Sequence, residues 1–151
     1  MHKDIDFSEL LLLGKLFGVG IGDNIQLLPD FDQHLSMISN LNKFSSLLYY
    51  FDFQFIFEKK TKIVTQIIIN FKYLNDEVLF CLLGKKKIFL SKNTNVDVFV
   101  KILNSLNIEY KLDENFTYGN QISIKTKNNI NMIFYIDNNF IINDKIILTD
   151  H

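Results

Sequence analysis

The sequence predicts an α+β fold: a mostly antiparallel sheet with two main helices, arranged as two similar helix-then-strands halves that share one core. Three observations carry this. Apolar residues at helical spacing occur in two places, near residues 7–17 and 96–106. Alternation of apolar and polar residues with a period of two dominates most of the remaining chain. The helices do not alternate singly with strands, which argues against a doubly wound parallel sheet.

The first helix is expected from Phe7 to Phe17, with Phe7, Leu10, Leu11, Gly14 and Phe17 on one face. Asp6 with Glu9 three residues on reads as a capping box, and Gly18 as the stop. From Gly18 to Phe44 the pattern is weak. Pro29 between Leu28 and Asp30 marks a turn, and His34–Ile38 reads as a short strand or helical turn.

Residues 47–57, LLYYFDFQFIF, read as one strand with Tyr49, Phe51, Phe53, Phe55 and Phe57 on its buried side. Residues 58–62, EKKTK, form a polar turn. Ile63 to Tyr73 then continues a long hairpin with Ile63, Ile67, Ile69 and Phe71 inward, until Asn75 and Asp76 break the pattern. A second hairpin is expected from Val78–Leu83 and Lys87–Leu90, turning at Gly84-Lys85-Lys86.

The second helix, from Val96 to Leu106, places Val96, Phe99, Val100, Leu103 and Leu106 on one face, with Thr94 or Asn95 as cap. The strands Gln121–Lys125, Ile130–Ile136, Phe140–Ile142 and Lys145–Leu148 complete a meander. No Pro/Gly/Ser linker separates residues 1–75 from 76–151, so residues 1–151 are read as a single domain. At 151 residues, a chain buries roughly 70% of its unfolded surface and needs no staples.

Composition narrows the function. Lysine supplies all of the positive side-chain charge apart from histidine, since the chain has no arginine, and the net charge is −1. There is thus no guanidinium fork for phosphates or guanine edges and no broad basic field, which disfavours direct nucleic-acid binding. One cysteine, Cys81, lies in the apolar run 78–83 and is expected to be buried, free and unreactive. Asp4, Asp6 and Glu9 interrupt what would be the basic region of an export signal. No run reaches the ~18 apolar residues of a membrane span. A cytoplasmic protein with no membrane partner is expected.

The chemical signatures fail on context. Gly18, Gly20 and Gly22 follow a helix, whereas a dinucleotide loop follows a strand, and GK[ST] is absent. The three histidines, His2, His34 and His151, have no ligand spacing, so no metal and no cofactor are expected. No nucleophile elbow is present and Cys81 has no histidine nearby in sequence. The chain is not expected to be an enzyme.

One resemblance bears on function. The segments DFSELLLLGKLFGVGIGDNIQLLPDFD (6–32) and SLLYYFDFQFIFEKKTKIVTQIIINF (46–71) resemble small immunity proteins of bacterial toxin systems, including contact-dependent growth inhibition. The later segments VFVKILNSLNIEYKLDE (98–114), QISIKT (121–126) and INMIFYID (130–137) are similar to the second part of such proteins. The resemblance implies an inhibitor that binds the toxic C-terminal domain of a cognate secreted effector and occludes its active site. A basic nuclease would be met by carboxylates, and Asp30, Asp32, Asp113 and Glu114 are the candidates, with Tyr118 as an aromatic anchor. Tyr50, Asp52 and Gln54 form a competing sheet patch. Lys145–Leu148, read as an edge strand, offers a homodimer contact. The alternative function is a small-ligand or nucleic-acid-binding module.

Overall fold

The computed structural model describes residues 5–74, 78–137 and 140–149, and it is α+β with a large antiparallel sheet. The chain begins with β1 (Ile5–Asp6) and α1 (Ser8–Leu13), followed by the small hairpin β2 (Lys15–Leu16) and β3 (Val19–Gly20). Two 3₁₀ segments, Ile25–Leu27 and Phe31–Met37, lead into β4 (Ile38–Asn40), β5 (Ser45–Tyr50), β6 (Phe53–Glu58) and β7 (Val64–Asn70). The second part comprises β8 (Leu79–Leu83), β9 (Lys86–Leu90), α2 (Val96–Ser105), β10 (Tyr110–Leu112), β11 (Gln121–Thr126), β12 (Ile130–Asp137) and β13 (Phe140–Thr149). The break expected at Asn75 and Asp76 lies outside the described residues, as do His2 and His151.

Eight strands form the main sheet, in the order β10-β11-β12-β13-β7-β6-β5-β4. Each half of the chain thus supplies a four-stranded antiparallel meander, and the last strand of each meets the other at the centre, with Ile68 opposite Ile147. The resulting order is symmetric: β4 and β10, the first strand of each meander, are the two edges. A second, three-stranded sheet pairs β1 in parallel with β8, and β8 with β9.

One face of the main sheet is the core. Phe53, Ile69, Ile146, Met132 and Ile124 stand in register across five strands, and all are buried. On this face α2 docks through Phe99, whose ring meets Phe134 edge-on at 5.4 Å between centroids and Phe71 at 6.5 Å. Such offset aromatic pairs add to the burial of apolar area that drives the packing. Helix α2 is capped as its sequence predicts, since Asn95 Oδ1 accepts from the Val98 N–H at 3.1 Å. No helix among the described residues is long and apolar enough to cross a membrane.

Several boundaries differ from the sequence reading. Helix α1 stops at Leu13 because Gly14, four residues before the expected Gly18, takes the left-handed conformation (φ 69°) as its C-cap and returns its N–H to the Leu10 carbonyl. The capping box is replaced by a tighter arrangement in which Asp6 Oδ1 accepts from both the N–H and the hydroxyl of Ser8. At the other end, Asn128 Nδ2, in the β11–β12 turn, donates to the Leu11 carbonyl at 2.9 Å and to that of Leu12 at 3.2 Å. This satisfies carbonyls that a short helix leaves open.

Residues 47–57 are two strands, not one. The chain reverses at Phe51 and Asp52, with Phe51 at φ 54° and Tyr50 facing Phe53 across the turn. The reversal puts Tyr50 in the core at 1% exposure and Tyr49 on the outer face at 41%. Beyond the polar turn, an irregularity in the β6–β7 register sets Phe57 opposite Val64 and Ile56 opposite Gln66. Val64 therefore points inward together with Ile67, Ile69 and Phe71, while Ile63 is only half-buried. The segments Phe140–Ile142 and Lys145–Leu148 are one strand with an extra residue at Asp144. That strand lies between β12 and β7, so Lys145–Leu148 is not an edge and the dimer contact inferred from it is withdrawn.

Candidate functional site

Pro29 and the residues after it build the most distinctive surface. Asp30 adopts the left-handed region (φ 54°) without being glycine, a conformation that aspartate tolerates better than most residues and that its surroundings must still hold. They do. The Tyr50 hydroxyl, brought inside by the β5–β6 reversal, donates to the Pro29 carbonyl at 2.9 Å. The Gln33 N–H donates to the Asp30 carbonyl at 2.9 Å and starts the 3₁₀ segment. His34 lies on the clamp, with its ring 4.6 Å from that of Tyr50 and 5.1 Å from that of Phe51. Burial, and secondarily the charge of Asp30, raise the Tyr50 pKa above its usual value, so the phenol stays a donor.

The clamp presents two carboxylates to solvent. Asp30 and Asp32 are both exposed. Around them the chain leaves large apolar side chains uncovered: Leu27 at 65%, Leu35 at 53% and Met37 at 48%, followed by Leu41 and Phe44 at the β4–β5 turn. Sequence reasoning missed these apolar residues because they fit no period. A run of leucines beside a Pro-Asp turn, lacking helical or strand spacing, was the available signal.

Asp113, Glu114 and Tyr118 are elsewhere. They follow β10, at the opposite edge of the sheet from β4. The two groups are thus carried at opposite sides of the sheet, and the structure does not join them.

Asp113 also departs from the expectation of a solvated loop charge. It is 6% exposed. Its Oδ1 accepts from the Asn115 N–H at 3.1 Å, which starts the 3₁₀ turn Glu114–Phe116, and its Oδ2 accepts from Asn131 Nδ2 at 2.6 Å. Asp113 thus anchors the loop. Glu114, Phe116 and Tyr118 are the exposed residues that the loop carries. Tyr118 bridges to Gln121, which faces Tyr135 on β12, so the two tyrosines flank one buried glutamine.

The competing patch dissolves for a geometric reason. Tyr50 points into the core, Asp52 is in the turn, and Gln54 is on the outer face opposite Tyr49. The face opposite the core instead carries one row across seven strands, Tyr49, Gln54, Ile68, Ile147, Asn131, Lys125 and Lys111, within which Asn131 is buried.

The remaining candidates have structural roles. Gly20 sits in β3 against Gly14, where a Cβ would stand 2.6 Å from the Gly14 carbonyl oxygen. Cys81 is free and fully buried, and burial, then the Asp6 charge, pushes its thiol up to about 12. Among the described residues, no three His, Cys, Asp or Glu side chains converge as metal ligands. No known family model, curated protein or solved structure matches the chain.

Proposed function

We propose that the chain is an immunity protein, a cytosolic inhibitor that binds the toxic C-terminal domain of a cognate secreted effector and covers its active site. The reading rests on one observation. Asp30 is held in a left-handed backbone conformation beside the Tyr50–Pro29 hydrogen bond, and the same stretch of chain exposes two carboxylates together with Leu27, Leu35 and Met37. A left-handed residue retained on a surface turn is a pointer to function, and uncovered apolar side chains together with charges are what binding surfaces are composed of. A basic partner, as nuclease toxins commonly are, suits these charges.

The test is co-expression with the toxin domain encoded by the adjacent gene. A complex that co-purifies and rescues growth supports the reading. The double variant Asp30→Lys with Asp32→Lys should remain folded by circular dichroism and lose protection. Absence of any complex with the adjacent product would sink the immunity reading. A complex insensitive to the double variant would retain the function and move the interface.

A further inference from the structure

The edge strand β10 offers a second, separate surface. In its pairing with β11, the Lys127 N–H donates to the Glu109 carbonyl and the Asp113 N–H to the Ser123 carbonyl. Residues 109, 111 and 113 therefore face β11 with their backbone groups. In an antiparallel ladder the alternate residues turn theirs away, so the N–H and C=O of Tyr110 and Leu112 point outward from the edge. Both side chains are exposed, at 38% and 54%.

The side chains say what kind of strand would complete this edge. Lys111 stands directly opposite Lys125, a like-charge cross-strand pair that destabilises a sheet when left alone. Ion pairs of the described residues join Lys15 to Asp23, Lys127 to Glu109 and Lys145 to Asp144, and none takes up Lys111 or Lys125. A depression lined by Glu109, Tyr110, Lys111, Lys125, Thr126 and Lys127 runs beside them. Pairing with a second copy of β10 in the register that uses the outward groups of both Tyr110 and Leu112 would set Lys111 against another Lys111, so the charge opposes self-association in that register.

We propose that β10 receives an extended acidic segment of a partner protein as a ninth strand. The outward groups of Tyr110 and Leu112 supply the ladder, a carboxylate lies beside Lys111 with the charge of Lys125 one strand further in behind it, and apolar residues lie beside Tyr110 and Leu112. This is recognition by strand addition, where the backbone gives affinity and alternate side chains give specificity. It is independent of the Asp30/Asp32 surface, and each can fail alone.

The probe is an eight-residue peptide alternating Glu and Val, capped at both ends, with its Lys/Val counterpart as control. The expected result is saturable binding of the acidic peptide, with amide exchange at Tyr110 and Leu112 slowed at least tenfold. Lys111→Glu with Lys125→Glu should reverse the preference between the peptides. Leu112→Pro removes an outward N–H while leaving the bonds to β11 intact, and should abolish binding without unfolding the chain. Three results would overturn the proposal: no binding of the acidic peptide, binding that leaves the two amides unprotected, or an oligonucleotide that engages Lys111 and Lys125 in preference to the peptide.

Discussion

Asn131 on β12 reaches past β11 to donate to Asp113 at 2.6 Å, and the same Nδ2 group lies 3.1 Å from the hydroxyl of Ser123, the fully buried residue between them. Three adjacent strands are tied by one buried polar group. The loop that carries Glu114, Phe116 and Tyr118 begins at this tie, so its exposed residues depend on a carboxylate that solvent hardly reaches.

Asp113→Lys should therefore destabilise the protein by about 3–5 kcal/mol, because it places an unpaired charge where a bonded one was buried. Glu114→Lys, one residue on and exposed, should stay within about 0.5 kcal/mol. Urea unfolding of the two single variants measures the difference. Equal midpoints would show that Asp113 is not an anchor.

Tyr50→Phe removes the donor to Pro29 and keeps the ring. A cost of about 1 kcal/mol is expected, the usual net value of one hydrogen bond. Amide exchange around Asp30 should quicken by more than in the rest of the sheet. If exchange there is unchanged, the left-handed turn is not held by the clamp.

With a basic partner, association should slow as salt rises, since screening shortens the range over which Asp30 and Asp32 act to about 8 Å at physiological ionic strength. The double lysine variant should show the opposite salt dependence, measured by stopped-flow mixing. A rate indifferent to salt in both proteins would leave the acidic pair without a steering role.

Cys81 should react with a thiol reagent at pH 8 at least ~100-fold more slowly than after denaturation, as reaction waits on opening of the core. Its folded pKa, about 12, lies above the ordinary 9.0. The thiol therefore favours the folded state fully below pH 9, and that contribution is lost as pH rises from 9 toward 12. Cys81→Ala should flatten the stability profile across that window, in chemical denaturation at stepped pH.

Gly20→Ala should cost about 1–3 kcal/mol, because the new methyl meets backbone that has no free rotamer to yield. Gly18→Ala makes no such contact and should cost only the ~1 kcal/mol of its positive φ (79°). Thermal unfolding of the pair separates contact from strain.

The sequence by itself determined the class, helix α2 with a cap at Thr94 or Asn95, the β8–β9 hairpin, and the position of β11 and β12. These features rest on neighbours within a few residues, where periodicity and turn chemistry are written directly. The buried state of Cys81 was legible for the same reason, from the apolar run around it. Of the candidate site, the exposed carboxylates Asp30 and Asp32 were readable from the Pro29 turn. Tertiary structure alone decided where residues 47–57 break, because a reversal at Phe51 without glycine is held by burial of Tyr50 and by a bond to Pro29 made 21 residues away. It also decided that β13 is central, since that follows from pairing with β7, more than sixty positions earlier in the chain. Asp113 is the sharpest case: its neighbours in sequence are those of a solvated loop, and only the arrival of Asn131 from two strands away turns the carboxylate into an anchor.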